Sequence, residues 1–219
     1  MKILNVEILS NDLDKTEKFY SDVLCFELQQ KSKDSISFTA GQTTLTFNSS
    51  NYPNPVYHFA FNIPNNQLNE ALEWTKQKVE IMDVTPGDKI ADFVNWDAKS
   101  FYFYDSNGNI LEFIARFDLD NKSTVPFNSD SIISISEIGV ATDDVAVESD
   151  RLINNCNLPV FSKQPRMPNF TALGDHDGLL ILSGASRHWY PTDKTAQKLY
   201  TRLCIETNGQ TQWLQFHKN

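Results

Sequence analysis

An aromatic cluster, Trp96, Phe101, Tyr102, Phe103 and Tyr104, stands close in sequence to Glu112. Successive side chains of a strand alternate between faces, so Phe101 and Phe103 point one way and Tyr102 and Tyr104 the other. One pair is expected beneath helices and the other along a concave face. There Trp96, Tyr102 and Tyr104 would suit a flat or apolar ligand, although core packing explains the same cluster. Arg187-His188-Trp189-Tyr190 offers charge-assisted hydrogen bonds to an anion. The favoured reading of that stretch is a loop in which Trp189 plugs the seam between structural units. His176, within Asp175-His176-Asp177-Gly178, is expected in an exposed turn, and His217 receives no role. Cys25, Cys156 and Cys204 are odd in number, scattered and set in apolar sequence. Buried free thiols are therefore expected, and with them a reducing, cytoplasmic compartment. The sequence has no Gly-rich phosphate loop, nucleophile elbow, Cys-x-x-Cys or His-Glu-x-x-His, which leaves dinucleotide binding and serine nucleophile chemistry without support.

The elements that would position these groups repeat. Asn5-Val6-Glu7-Ile8 leads to Asp12-Leu13 and a helix carrying Phe19-Tyr20, and Glu137-Ile138-Gly139-Val140 leads to Asp144-Val145 and a helix carrying Leu152-Ile153. A strand feeding an Asp-capped amphipathic helix, twice at the same spacing, signals duplicated units. The first unit reads as a strand over 3–9, a helix over 13–24, and short strands around the turn at Gly41. The second has a strand over 57–63, a helix over 68–78, a polar stretch over 83–98 read as a mobile flap, and strands over 100–104 and 109–115. The last two flank Asp105-Ser106-Asn107-Gly108, a hairpin signal because such a turn needs positive φ. Residues 118–133 read as a linker. The third unit has a strand over 135–142, a helix over 144–156 and strands over 170–173 and 179–182. A fourth starts at 199–206 and is expected to stop short, leaving the second module incomplete.

The 219 residues suffice for one large domain or two small ones, and 40% hydrophobic with 12% aromatic content supports a buried core. The formal net charge of -9 disfavours nucleic acid as a partner, since phosphate binding needs a basic face. No apolar run approaches the ~20 residues of a membrane span, and nothing reads as a signal peptide.

At Asn5-Val6-Glu7-Ile8, Asp12-Leu13, Phe19-Tyr20, Tyr57-His58-Phe59-Ala60-Phe61, and above all Tyr102-Phe103-Tyr104-Asp105-Ser106-Asn107-Gly108-Asn109 with Leu111-Glu112-Phe113, the chain resembles the vicinal oxygen chelate superfamily. That group includes glyoxalase I, extradiol dioxygenases, methylmalonyl-CoA epimerase, and fosfomycin and bleomycin resistance proteins. The resemblance is close over 1–117 and loose over 134–206. It implies an α+β fold of tandem βαβββ units forming curved, half-open mixed sheets. A complete module would span 1–117, and a partial second one 134–219. It further implies one divalent metal (Zn, Mn, Fe or Ni) at positions that fall on His58, Glu112 and Asn5, with Glu112 as catalytic ligand or base.

Asn5 stands where the family has histidine, and an amide oxygen is a weaker, uncharged donor. Cys25 stands where the family has a helix-ending glycine. Glu137, at the first-strand position of the third unit, is itself a plausible metal ligand, but it is read as a solvated or salt-bridged carboxylate because the fifth-strand counterpart near Thr201 or Arg202 is not a ligand and the eighth strand is missing. Two functions follow from the resemblance. One is a metal-assisted lyase, isomerase or dioxygenase acting on a small substrate with adjacent oxygens. The other is a metal-free, drug-sequestering binding protein. An open sheet edge left by the fourth unit would invite a homodimer.

Overall fold

A computed structural model describes residues 1–218. The first unit comprises β1 (Lys2–Ser10), α1 (Leu13–Lys18), β2 (Glu27–Lys31), β3 (Ser35–Ala40) and β4 (Thr43–Ser49). The second comprises β5 (His58–Ile63), α2 (Leu68–Lys76), β6 (Ala91–Phe93), β7 (Ala98–Tyr104) and β8 (Ile110–Arg116). Then come β9 (Ser134–Thr142), α3 (Val145–Cys156), β10 (Phe170–Asp175), β11 (Gly178–Gly184), β12 (Thr201–Thr207) and β13 (Gln210–Phe216).

These strands form two curved mixed sheets, ordered β13-β12-β1-β4-β3-β2 and β10-β11-β9-β5-β8-β7-β6. The fold is α+β, as the sequence implies. Each sheet joins strands from both sides of 118–133, through antiparallel pairing of β1 with β12 and of β5 with β9. After β12 the described residues add only β13, paired with β12 from Thr201↔Phe216 to Thr207↔Gln210. The stretch over 118–133 is held against the N-terminal end of α2, where Gln67 Nε2 donates to the Val125 carbonyl, Asn65 Nδ2 donates to the Leu119 carbonyl and the Asn65 backbone N–H donates to Asn121 Oδ1.

Both expected aspartate caps form. Asp12 accepts from the Lys15 backbone N–H at 2.9 Å and Asp144 from that of Val147 at 3.0 Å. The helix expected over 13–24 changes character at Phe19, where Phe19–Val23 winds as a π-turn. It ends at Cys25 with φ 58, so the left-handed cap persists although a cysteine replaces the usual glycine. Cys25 is also exposed, contrary to the expectation of three buried thiols; Cys156 and Cys204 are buried, and all three are free. The stretch over 83–98 is structured in part: Asp83 pairs with Lys89, and β6 pairs with β7.

Alternation divides the seven-stranded sheet cleanly. Phe59, Phe61, Phe101, Phe103, Leu111, Phe113, Ile138 and Val140 face the main core, which the helices cover. His58, Tyr102, Glu112 and Glu137 therefore face the opposite, concave side. The hairpin between β7 and β8 fixes that register. Asp105 accepts from the backbone N–H groups of Asn107 (2.8 Å) and Asn109 (2.9 Å), and from the Tyr20 hydroxyl at 2.8 Å. Gly108 supplies the positive φ, +84°, that the turn requires. A slip of one residue would turn Glu112 into the apolar core.

Candidate metal centre

Ala60 is the pivot of the site. Its neighbour across β8 is Glu112 and its neighbour across β9 is Glu137, so two carboxylates flank one methyl group on the concave face. His58 lies two residues along β5, on the same side. Donor atoms of His58, Glu112 and Glu137 all fall within 4.8 Å of one another, and all three residues are buried. His58 Nε2 and Glu112 Oε2 are 3.6 Å apart. The 3.6 Å between His58 Nε2 and Glu112 Oε2 is within what two ligands at ~2.1 Å can span across one ion.

Hydrogen bonding sets the imidazole tautomer. His58 Nδ1 lies 3.1 Å from the Ile110 carbonyl, which can only accept, so Nδ1 carries the proton and Nε2 presents its lone pair. This is the outer-shell arrangement that orients a metal-binding histidine. Burial lowers the His58 pKa, keeping the ring neutral. Burial pushes Glu112 up to about 6, against the opposing pull of Ser100, Tyr102 and Arg116. Burial also pushes Glu137 up to about 7, with the Arg116 guanidinium opposing and Glu112 adding to the rise. A lone pair and two carboxylates thus converge with no hydrogen between them, and a proton or a cation must occupy that space. The donor set fits a divalent metal.

Arg116 anchors the floor. It is fully buried, pairs with Glu137, and donates from Nε to Asn62 Oδ1 at 3.2 Å. Its guanidinium satisfies one Glu137 oxygen and leaves the other for the centre.

Above the donors lies a cavity of about 330 Å³, within the range that holds a small molecule. Its walls include Trp96, Tyr102, Phe170, Ile181 and Trp189. Of the residues singled out from sequence, His58, Glu112, Trp96 and Tyr102 come together here. Two do not. Asn5 sits on β1 in the other sheet, between Thr44 and Cys204, because β9 rather than β1 lies beside β5. Tyr104 shares a face with Tyr102 but lies at the strand end, 38% exposed beneath the Lys194 ammonium and outside the cavity.

Two features went the other way. Glu137, read as a solvated or salt-bridged carboxylate, does form an ion pair, yet it is buried at the centre; its equivalence to the first-strand position of the first unit was the available signal. The loop carrying Arg187 to Tyr190 does more than seal a seam, since the Trp189 ring lies tilted against the His58 ring, 5.5 Å between centroids, and walls the cavity. His176 is half-buried against Phe161 rather than fully exposed.

The profile of the Glyoxalase/Bleomycin resistance protein/Dioxygenase superfamily matches residues 2–113. A candidate dioxygenase from Bacillus subtilis subsp. subtilis str. 168 has a similar structure, with a TM-score of 0.61 and 17% identity, over 84% of this chain and 63% of its own. Glyoxalase I from Zea mays is similar with a TM-score of 0.53 and 15% identity, over 84% of this chain and 66% of its own. This chain therefore spans less than two thirds of the length of either protein, and at such identities the likeness is one of fold. Among curated proteins no sequence matches the chain. No helix among the described residues is long and apolar enough to cross a membrane. With a profile match over half its length and the sheet architecture just described, the chain belongs to the glyoxalase/bleomycin resistance protein/dioxygenase superfamily.

Proposed function

We propose that the chain is an enzyme that uses one divalent metal ion (Zn, Mn, Fe or Ni) to act on a small substrate with two adjacent oxygens, by lyase, isomerase or dioxygenase chemistry. The observation that carries this reading is the convergence of His58, Glu112 and Glu137 at the closed end of a ligand-sized cavity. Asn5 has no part in it. When bound, the metal would supply Lewis acidity to stabilise a developing enolate or oxyanion.

The protein's own groups do the rest. The Ile110 carbonyl holds the imidazole in the orientation that directs Nε2 inward, and Arg116 holds Glu137. Glu112 would serve as ligand or base; without metal, burial raises its pKa to about 6. Tyr102, directly opposite Glu112 on β7, has its hydroxyl pKa raised by burial and then by the Glu112 charge, so it stays protonated as a donor. Trp96 and Trp189 shield the centre and favour a flat substrate.

Metal analysis of protein purified without chelator, followed by calorimetric titration with each of the four ions, tests this. One ion per chain is expected. Absence of binding at excess metal would overturn it.

A further inference from the structure

The cavity lining carries charge of both signs. Two carboxylates lie at its floor, and the one permanent cation among its lining residues is Arg187. This guanidinium lies over the Phe170 ring at 4.6 Å and is partly buried. Burial alone lowers its pKa, with no carboxylate acting on it. Among the described residues, the other arginines all have carboxylate partners: Arg116 with Glu137, Arg151 with Glu148, Arg166 with Asp150 and Arg202 with Glu7. Its backbone is fixed on both sides, with its N–H donating to the Gly184 carbonyl at 2.9 Å and its carbonyl accepting from the Ala196 N–H at 2.8 Å. Stacking occupies a face of the guanidinium and leaves its in-plane donors free for a planar two-oxygen anion.

We infer that Arg187 is an anion subsite, and that the ligand is an aromatic or flat apolar acid whose carboxylate binds Arg187 while its other end lies toward His58, Glu112 and Glu137. In the metal-free protein the floor carboxylates, one of them paired with Arg116, disfavour an anion that the guanidinium attracts. Size is compatible with this: about 330 Å³ holds a one- or two-ring molecule. The assignment of the reacting end rests on the metal-centre reading; the anion subsite does not.

The probes are 1-naphthylacetate and its neutral amide, 1-naphthylacetamide, titrated by calorimetry into the full chain with chelator present. The acid is expected to bind about tenfold or more tightly than the amide, as a charge-assisted contact implies. Arg187→Gln should erase that preference, and Arg187→Lys should keep part of it, since it retains charge without the planar fork. Equal binding of acid and amide, no binding of either at millimolar concentration, or an unchanged preference in Arg187→Gln would overturn the subsite. Metal titration of the wild type separates the two readings. In the wild type, metal binding without acid preference defeats the subsite alone, and acid preference without metal binding defeats the metal centre alone.

Discussion

Arg116 is a fully buried cation at the floor of the site. A fully buried guanidinium is tolerable only when paired, and Glu137 and Asn62 supply that pairing. Arg116→Met strands the Glu137 carboxylate and is expected to cost about 3–5 kcal/mol, read by urea unfolding. Adding Glu137→Leu should restore much of that loss, because removing both partners leaves no uncompensated charge. Protonation offers a second check. With its folded pKa raised from 4.5 to about 6, Glu112 contributes stability that is fully present below about 4.5 and lost as pH rises through about 6. His58, whose pKa is lowered by burial, contributes in the opposite direction and is common to both proteins compared. Metal-free wild type should therefore lose about 1–2 kcal/mol relative to Glu112→Gln as pH rises from about 4.5 to about 7. A flat difference across that window would show that Glu112 titrates like an exposed carboxylate.

At the level of elements, β9 and the loop over 185–197 complete what β5 and β8 begin. Gly139, one cavity-facing position beyond Glu137, lets the Trp189 indole lie on the strand; a Cβ there would come within 2.5 Å of the ring. Gly139→Ala is expected to cost about 1–3 kcal/mol and to displace Trp189, seen as a shift and rise in quenching of tryptophan emission by iodide. Unchanged emission would place Trp189 off the strand. How much of this was legible in sequence depends on range. The aspartate caps, the Asp105 hairpin and the alternation of Phe101 to Tyr104 are local, and each follows from side-chain chemistry within a few residues. That Glu137 rather than Asn5 joins His58 and Glu112 depends on which first strand lies beside β5. Both strands have the same local pattern, so only long-range pairing decides between them. The burial of Trp189 over a glycine 50 positions earlier is hidden for the same reason.

In the whole molecule, each sheet is continuous across the stretch over 118–133, and the centre forms where the second and third units meet. The division at 118–133 thus separates repeated stretches of sequence rather than the strands that build the site. We propose that the sheet of β1 and β12, whose positions equivalent to Glu137 and His58 hold Asn5 and Arg202, is a scaffold with no ligand set of its own. A single comparison exposes that assignment: calorimetric titration of Mn(II) into the wild type, Glu137→Ala and Asn5→Ala at neutral pH. Asn5→Ala should bind one ion per chain with wild-type affinity, while Glu137→Ala should bind about tenfold or more weakly, as loss of a charged ligand requires. Equal affinity in Glu137→Ala and the wild type, or loss of binding in Asn5→Ala alone, would contradict a centre built from His58, Glu112 and Glu137.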